Sequence, residues 1–203
     1  MNIKRIINLI PVDELDLETQ KELVKNNLSL RDIVANCIYE NNCDYLTNEI
    51  LSGAPFFWEF SCVYCTRVDF ESRRNGYYMI KWDDIAAWIE RVNRDYGFLY
   101  DSDCDLLELA KQAERLQEKL DNSDCGYMDL SDLNYSRIEK RVNEIREKLE
   151  NAIKTGIDSV LDSTDDIDYI LEEVELVNDY CFYGLYYDAD IKRIYKIDCD
   201  IVA

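Results

Sequence analysis

Two stretches in the middle of the chain place their apolar residues at a spacing that only a helix can use. From Asp103 to Leu120 they fall at Leu106, Leu109, Ala113, Leu116 and Leu120. From Ser131 to Leu161 they fall at Ile138, Val142, Ile145, Leu149, Ile153, Ile157 and Val160. Steps that alternate around 3.5 residues line up one continuous apolar stripe, the pattern of a coiled-coil-type seam. Neither stretch contains proline, and Gly156 is the only interior glycine. A polar connection of ten residues separates them, so an antiparallel helical hairpin over 101–162 is the economical arrangement.

The flanks read differently. Residues 2–10 alternate weakly, as a strand does. The acidic start Asp13-Glu14-Leu15-Asp16 precedes a helix over 17–25, where negative charge suits the helix N-terminus. Ser29 is the expected N-cap of the next helix, which carries Ile33, Val34, Cys37 and Ile38 at helical spacing. Phe56 to Tyr64 is aromatic and β-branched and predicts a strand, continued over Val68 to Phe70 after a bulge at Thr66. Asn75-Gly76 is the strongest short hairpin signal, with Tyr77 to Ile80 as the returning strand. Asp83-Asp84 opens a helix with Ile85, Trp88, Ile89 and Val92 on one face, and Asp165 starts another with Ile167, Ile170, Leu171, Val174 and Val177. Tyr195, Ile197, Cys199 and Ile201 alternate with polar residues, as in a half-buried strand. The expected fold is α+β: a small antiparallel sheet from N-terminal, middle and C-terminal strands, with the helical hairpin inserted. Residues 1–100 and 163–203 form the core of that single domain, and 101–162 its projecting arm.

Composition narrows the chemistry. The 203 residues include 43 Asp and Glu against 23 Lys and Arg, a formal charge of −20, and no histidine. Without histidine there is no imidazole base, no Ser-His-Asp triad and no His-containing metal site. Such acidity opposes direct binding to nucleic acid or an anionic membrane. The apolar run at the N-terminus is short and broken by Asn8, unlike a secretion signal, and no segment approaches a membrane span. The eight cysteines therefore read as reduced thiols, mostly buried, in a cytosolic (cytoplasmic) protein.

Three constellations invite a metal, and each has a simpler explanation. Cys62 and Cys65, with Cys37 and Cys43, have thiolates enough for zinc, although ordinary core thiols account for them. The loop from Asp121 to Asp132 has Asp121 first, Gly126 sixth, Asp129 ninth and Asp132 twelfth, as a calcium loop does, but Cys125 stands at a ligand position. Asp69, Glu71 and Arg73 form a loose carboxylate pair of the kind that holds magnesium in hydrolases, and edge-strand solubility explains them as well. No catalytic residue, metal or cofactor is assigned, and the expectation is a protein that is not an enzyme.

Charge distribution is the strongest signal. Residues 1–100 carry 16 acids and 11 bases, whereas residues 101–203 carry 27 and 12. A field of this kind steers basic partners, and carboxylates in rows can imitate nucleic-acid phosphates. In the hairpin Lys and Arg intersperse with the acids, so the better candidate is the segment from Asp158 to Asp190. Its partner-binding residues are Asp162, Asp165, Asp166, Asp168, Glu172, Glu173, Glu175 and Asp179.

The run from Val12 to Lys21 (VDELDLETQK), followed by the aromatic segment Phe56 to Phe70, resembles small uncharacterised phage and prophage proteins. In its acidity the chain also resembles anti-restriction and anti-CRISPR inhibitors, which occupy nucleic-acid-binding surfaces. These resemblances imply an acidic, DNA-mimicking inhibitor of a basic, nucleic-acid-binding defence effector, such as a nuclease, in the host cytoplasm. The alternative is a structural or adaptor protein that forms a homo-oligomer through its helical hairpin and depends on Leu109 and Leu149. A carboxylate-metal hydrolase using Asp69 comes third.

Overall fold

A computed structural model describes residues 9–61, 65–70, 81–99, 105–126, 130–162 and 166–196. The fold is α+β, and the chain divides into two compact units. A terminal unit joins Met1–Asn42 to Asp162–Ala203, and a central unit spans Cys43–Leu161.

In the terminal unit, strand β1 (Leu9–Pro11) leads through a 3-10 turn (Val12–Glu14) into α1 (Leu17–Asn26), and α2 (Leu28–Tyr45) follows. The Asp16 carboxylate caps α1, accepting from the Thr19 backbone N–H at 2.9 Å and its hydroxyl at 2.7 Å. The cap of α2 is Asn27 and not Ser29: Asn27 Oδ1 accepts from the Leu30 N–H at 3.1 Å. The helix begins one residue before Ser29, at Leu28. Gln20 is buried and its amide donates to the carbonyls of Val12 (3.0 Å), Asp13 (3.3 Å) and Leu15 (3.1 Å), which holds the 3-10 turn against α1. From the other end of the chain come α6 (Ile167–Cys181), β4 (Leu185–Asp188) and β5 (Arg193–Lys196). The antiparallel sheet has the order β1-β4-β5, with Ile10 opposite Tyr187 and Tyr187 opposite Ile194. Val24, Leu30, Val34 and Ile38 from α1 and α2 meet Ile170, Val174, Val177 and Phe182 in one core. The N- and C-terminal segments thus complete each other, since neither has enough apolar surface to close a core alone.

In the central unit a π-helical turn (Leu46–Ile50) follows α2. Carbonyls at its C-terminal end and just beyond are satisfied from α3 (Trp82–Tyr96): Arg91 donates to those of Glu49, Ile50 and Ser52 at 2.8–3.2 Å, and Trp88 Nε1 to that of Ile50 at 3.1 Å. The segment expected as one bulged strand is instead two, β2 (Phe57–Ser61) and β3 (Cys65–Asp69), paired antiparallel with each other. They form a sheet separate from β1-β4-β5, because β2 and β3 are near enough in sequence to pair locally. Phe56, Phe70, Trp82 and Trp88 link this hairpin to α3 through ring contacts at 4.9–6.1 Å. The Asn75-Gly76 hairpin, the strand over 77–80 and residues 197–203 lie outside the described residues.

The predicted helical pair is α4 (Leu106–Asp124) and α5 (Asp132–Asp162). Tyr135 hydroxyl donates to Asp124 at 3.1 Å, and Arg141 to Gln112 at 3.4 Å. Contacts that move up α5 while moving down α4 make the pair antiparallel. Helix α3 also packs closely on α4, and Ala110 and Ala113 of α4 are fully buried. The buried stripe of α5 runs Val142, Ile145, Leu149, Ile153, Ile157 and Leu161, so its last residue is Leu161 and not Val160. Four-residue steps on a helix of about 3.6 residues per turn carry the stripe around the axis by about 40° per step. Accordingly α5 meets α4 first, then the end of β3 through Glu150, whose carboxylate accepts the Phe70 N–H at 2.8 Å. Near its C-terminus Gly156 lies under Phe98 and Leu99, which a Cβ there would meet at 3.2 and 3.3 Å. The hairpin is therefore embedded in the central unit with residues 43–99, and the division falls after Asn42 where the sequence suggested Tyr100.

Candidate protein-binding face

Helix α6 presents two chemically opposite faces. Asp166 caps it, its carboxylate accepting from the Asp168 N–H at 2.9 Å, and Asp168 sits in the first turn where negative charge is favoured. Ile170, Val174, Val177 and Cys181 recur at three and four residues and fill the terminal core. At 100° per residue, Asp168, Glu172 and Glu175 fall together on the side opposite that core, and all three are exposed. Beside this row, Leu176 is 60 % exposed and Tyr180 52 %, with Tyr183 70 % exposed just beyond the helix.

The predicted residues distribute around this row as follows. Asp162, the last residue of α5, is exposed, as is Asp166; Glu173 is half-buried on the flank of α6. Asp165 lies outside the described residues, and so does the side chain of Asp179, which belongs to α6. Leu176, Tyr180 and Tyr183 escaped sequence reasoning, although Leu176 and Tyr180 follow Glu172 in four-residue steps, a stripe that belongs to neither the core nor the acidic row.

No Lys or Arg occurs between Lys154 and Lys192. Among the described residues, no cation pairs with Asp168, Glu172, Glu173 or Glu175; the ion pairs between described groups lie in the central unit. The row is nevertheless sparser than a duplex. Asp168 to Glu175 spans about 10 Å at ~1.5 Å per residue, so three carboxylates sit about 5 Å apart, against one phosphate per ~1.7 Å of duplex axis.

The metal constellations do not assemble among the described residues. No group of three or more Cys, Asp or Glu there could hold an ion. Asp121 and Asp124 belong to the last turns of α4, where Asp121 accepts from Gln117 at 2.9 Å and Asp124 from Tyr135, so a helix occupies the start of the supposed calcium loop. Asp69 is ion-paired with Arg67 at 2.8 Å on its own strand; Glu71 and Arg73 lie outside the described residues. Cys37 is half-buried against the terminal core, while Cys62 and the side chain of Cys65 lie outside the described residues. Of the hairpin seam, Val142 to Leu161 on α5 are buried within one chain, whereas Leu109 and Leu116 on α4 are half-buried. No described helix is long and apolar enough to cross a membrane. No protein-family model, curated protein or solved structure matches the chain.

Proposed function

We propose that this chain is a non-catalytic cytoplasmic protein that binds a basic surface of a nucleic-acid-binding protein and inhibits it by occupancy, as acidic phage-encoded inhibitors of host defence do. The observation that carries the reading is the outer face of α6, where Asp168, Glu172 and Glu175 are exposed and pair with no cation among the described residues. Uncompensated charge of this kind raises the rate of encounter with a basic surface. The flanking Leu176, Tyr180 and Tyr183 then supply apolar and aromatic area for docking. Because the carboxylates are about threefold sparser than duplex phosphates, recognition rests on the field plus this apolar strip rather than on replacing phosphates one for one.

The test compares wild type with the triple variant Asp168→Lys, Glu172→Lys, Glu175→Lys. Each is used to capture proteins from bacterial lysate at low salt, and the nucleic-acid binding of the captured protein is then titrated with the free chain. Wild type retains a basic protein, releases it to double-stranded DNA and suppresses its DNA binding; the variant associates at least about tenfold more slowly at low salt, with a flattened salt dependence. Equal capture by both proteins, or a captured protein whose DNA binding is unaffected, overturns the reading.

A further inference from the structure

We propose that α6 docks an antiparallel amphipathic helix of its basic partner, with apolar residues towards that helix's N-terminus and Lys or Arg towards its C-terminus. The inference rests on the function proposed above and names the element of the partner that is recognised. Within α6 (Ile167–Cys181) a second apolar seam runs beside the one that fills the core. Tyr169, Leu176 and Tyr180 follow one another at seven and four residues, the spacing with which one helix receives another. Tyr169 leans half-buried on the terminal core. From there the seam emerges to the exposed Leu176 and Tyr180, with Tyr183 just past the helix. At ~100° per residue, the row of Asp168, Glu172 and Glu175 stands about 90° around the axis from this seam. That is the place of the flanking charges that choose a partner and its direction in paired helices.

Charge complementarity and the polarity of this face along its axis fix the occupant. The acidic row ends at Glu175, and the exposed Leu176 and Tyr180 lie beyond it towards the C-terminus. The matching face therefore presents cations at one end and apolar side chains at the other. A partner helix running antiparallel carries its Lys and Arg in its own last turns, where the helix dipole favours them, and opposes its dipole to that of α6. A parallel partner would put the same cations at its N-terminus, where the dipole repels them. The length of α6, about 22 Å at ~1.5 Å per residue, sets the partner helix at about four turns. A second copy of this chain is a poor occupant, since residues 155–191 contain no Lys or Arg and its α6 would set acid against acid. The face is small beside a standard protein interface, so the isolated helix binds weakly and its affinity falls with salt.

The experiment titrates the full chain into labelled synthetic peptides of about 16 residues at low salt and reads fluorescence anisotropy. The first peptide has leucines at helical spacing in its N-terminal half and arginines in its C-terminal half. The second exchanges the halves, and the third scrambles the same composition so that no face forms. The first is expected to bind with a micromolar Kd and a gain in helical circular dichroism. The second should bind at least about fivefold more weakly and the third at least about tenfold. Leu176→Ser combined with Tyr180→Ser should weaken the first peptide about tenfold, and both side chains are more than half exposed, so the core is left intact. Equal binding of the first peptide and either of the others, or undiminished binding to the double variant, overturns the inference. Absence of binding to all three, while wild type still captures a basic protein from lysate, overturns the docked helix and leaves the proposed function standing. The expected peptide ranking without any captured basic protein supports the docked helix and overturns that function instead.

Discussion

The two units carry a similar excess of negative charge and handle it in opposite ways. The central unit has 24 acids and 15 bases, the terminal unit 19 and 8. In the central unit the charges find each other: Arg67 with Asp69, Arg94 with Asp95, Lys154 with Asp158 and both Lys140 and Arg141 with Glu144. In the terminal unit Asp168, Glu172 and Glu175 of α6 lie on a face turned from the core and pair with no cation among the described residues. Exposed pairs of this type contribute little stability each, so the contrast concerns surface field more than folding. It teaches that net charge alone identifies no binding face; the distribution of cations does.

Core truncation tests the division most severely. Phe182→Ala in the terminal core should lower stability by about 3–5 kcal/mol, and Ile153→Ala in the central core by about 2–5 kcal/mol, since both residues are fully buried. Hydrogen exchange should show lost protection concentrated in the unit that holds the substitution. An even loss across both would break the division. Gly156→Val should cost about 1–3 kcal/mol by driving a branched side chain into Phe98 and Leu99. Gly156→Ala should cost less, because the helix gains about 1 kcal/mol of propensity; denaturant midpoints distinguish the two.

Single neutralisations sharpen the charge comparison. Glu144→Gln removes the partner of Lys140 and Arg141 and should destabilise by about 0.3–0.5 kcal/mol at low salt. Glu172→Gln should leave stability unchanged or slightly raised. Equal losses in urea titrations would mean that the α6 row is compensated after all.

Acid should also separate the units. The Thr19 N–H, with its hydroxyl, holds Asp16 in the terminal unit below the ordinary 3.8. Its stabilisation is complete above that value and is lost as pH falls through the lower folded value. Burial pushes Glu150 in the central unit above the ordinary 4.5, only partly offset by the Phe70 N–H. Well below 4.5 the carboxyl is protonated in both states; as pH rises the unfolded chain ionises first, so stability declines until the folded carboxyl ionises too, and the loss then stays constant. Glu150→Gln keeps an acceptor for Phe70 and should flatten that decline in a series of melting curves, the smallest effect predicted here. An unchanged pH profile would remove Glu150 from the account.

Local rules made much of this protein legible. The hairpin of α4 and α5, the buried positions of α3 and the core face of α6 follow from apolar spacing, which reports helical period directly. The same rules stumbled where a choice depended on competition between neighbours. Asn27 outbid Ser29 as a cap because one residue there ends α1 and starts α2, and the aromatic segment folded on itself because its two halves pair at short range. Of the candidate site, the acidic half of α6 was readable from composition, whereas the exposed strip of Leu176, Tyr180 and Tyr183 was not, since an apolar residue carries no label for core or surface.

By itself, the sequence determined the helical periods, the α+β character and the excess of acid between Lys154 and Lys192, because each depends on residues close along the chain. The tertiary structure alone decided that the N- and C-terminal segments share a core and that β2 and β3 form their own sheet. Those pairings join segments far apart in sequence or choose among several equally apolar partners, and only the mutual burial of complementary surfaces selects one.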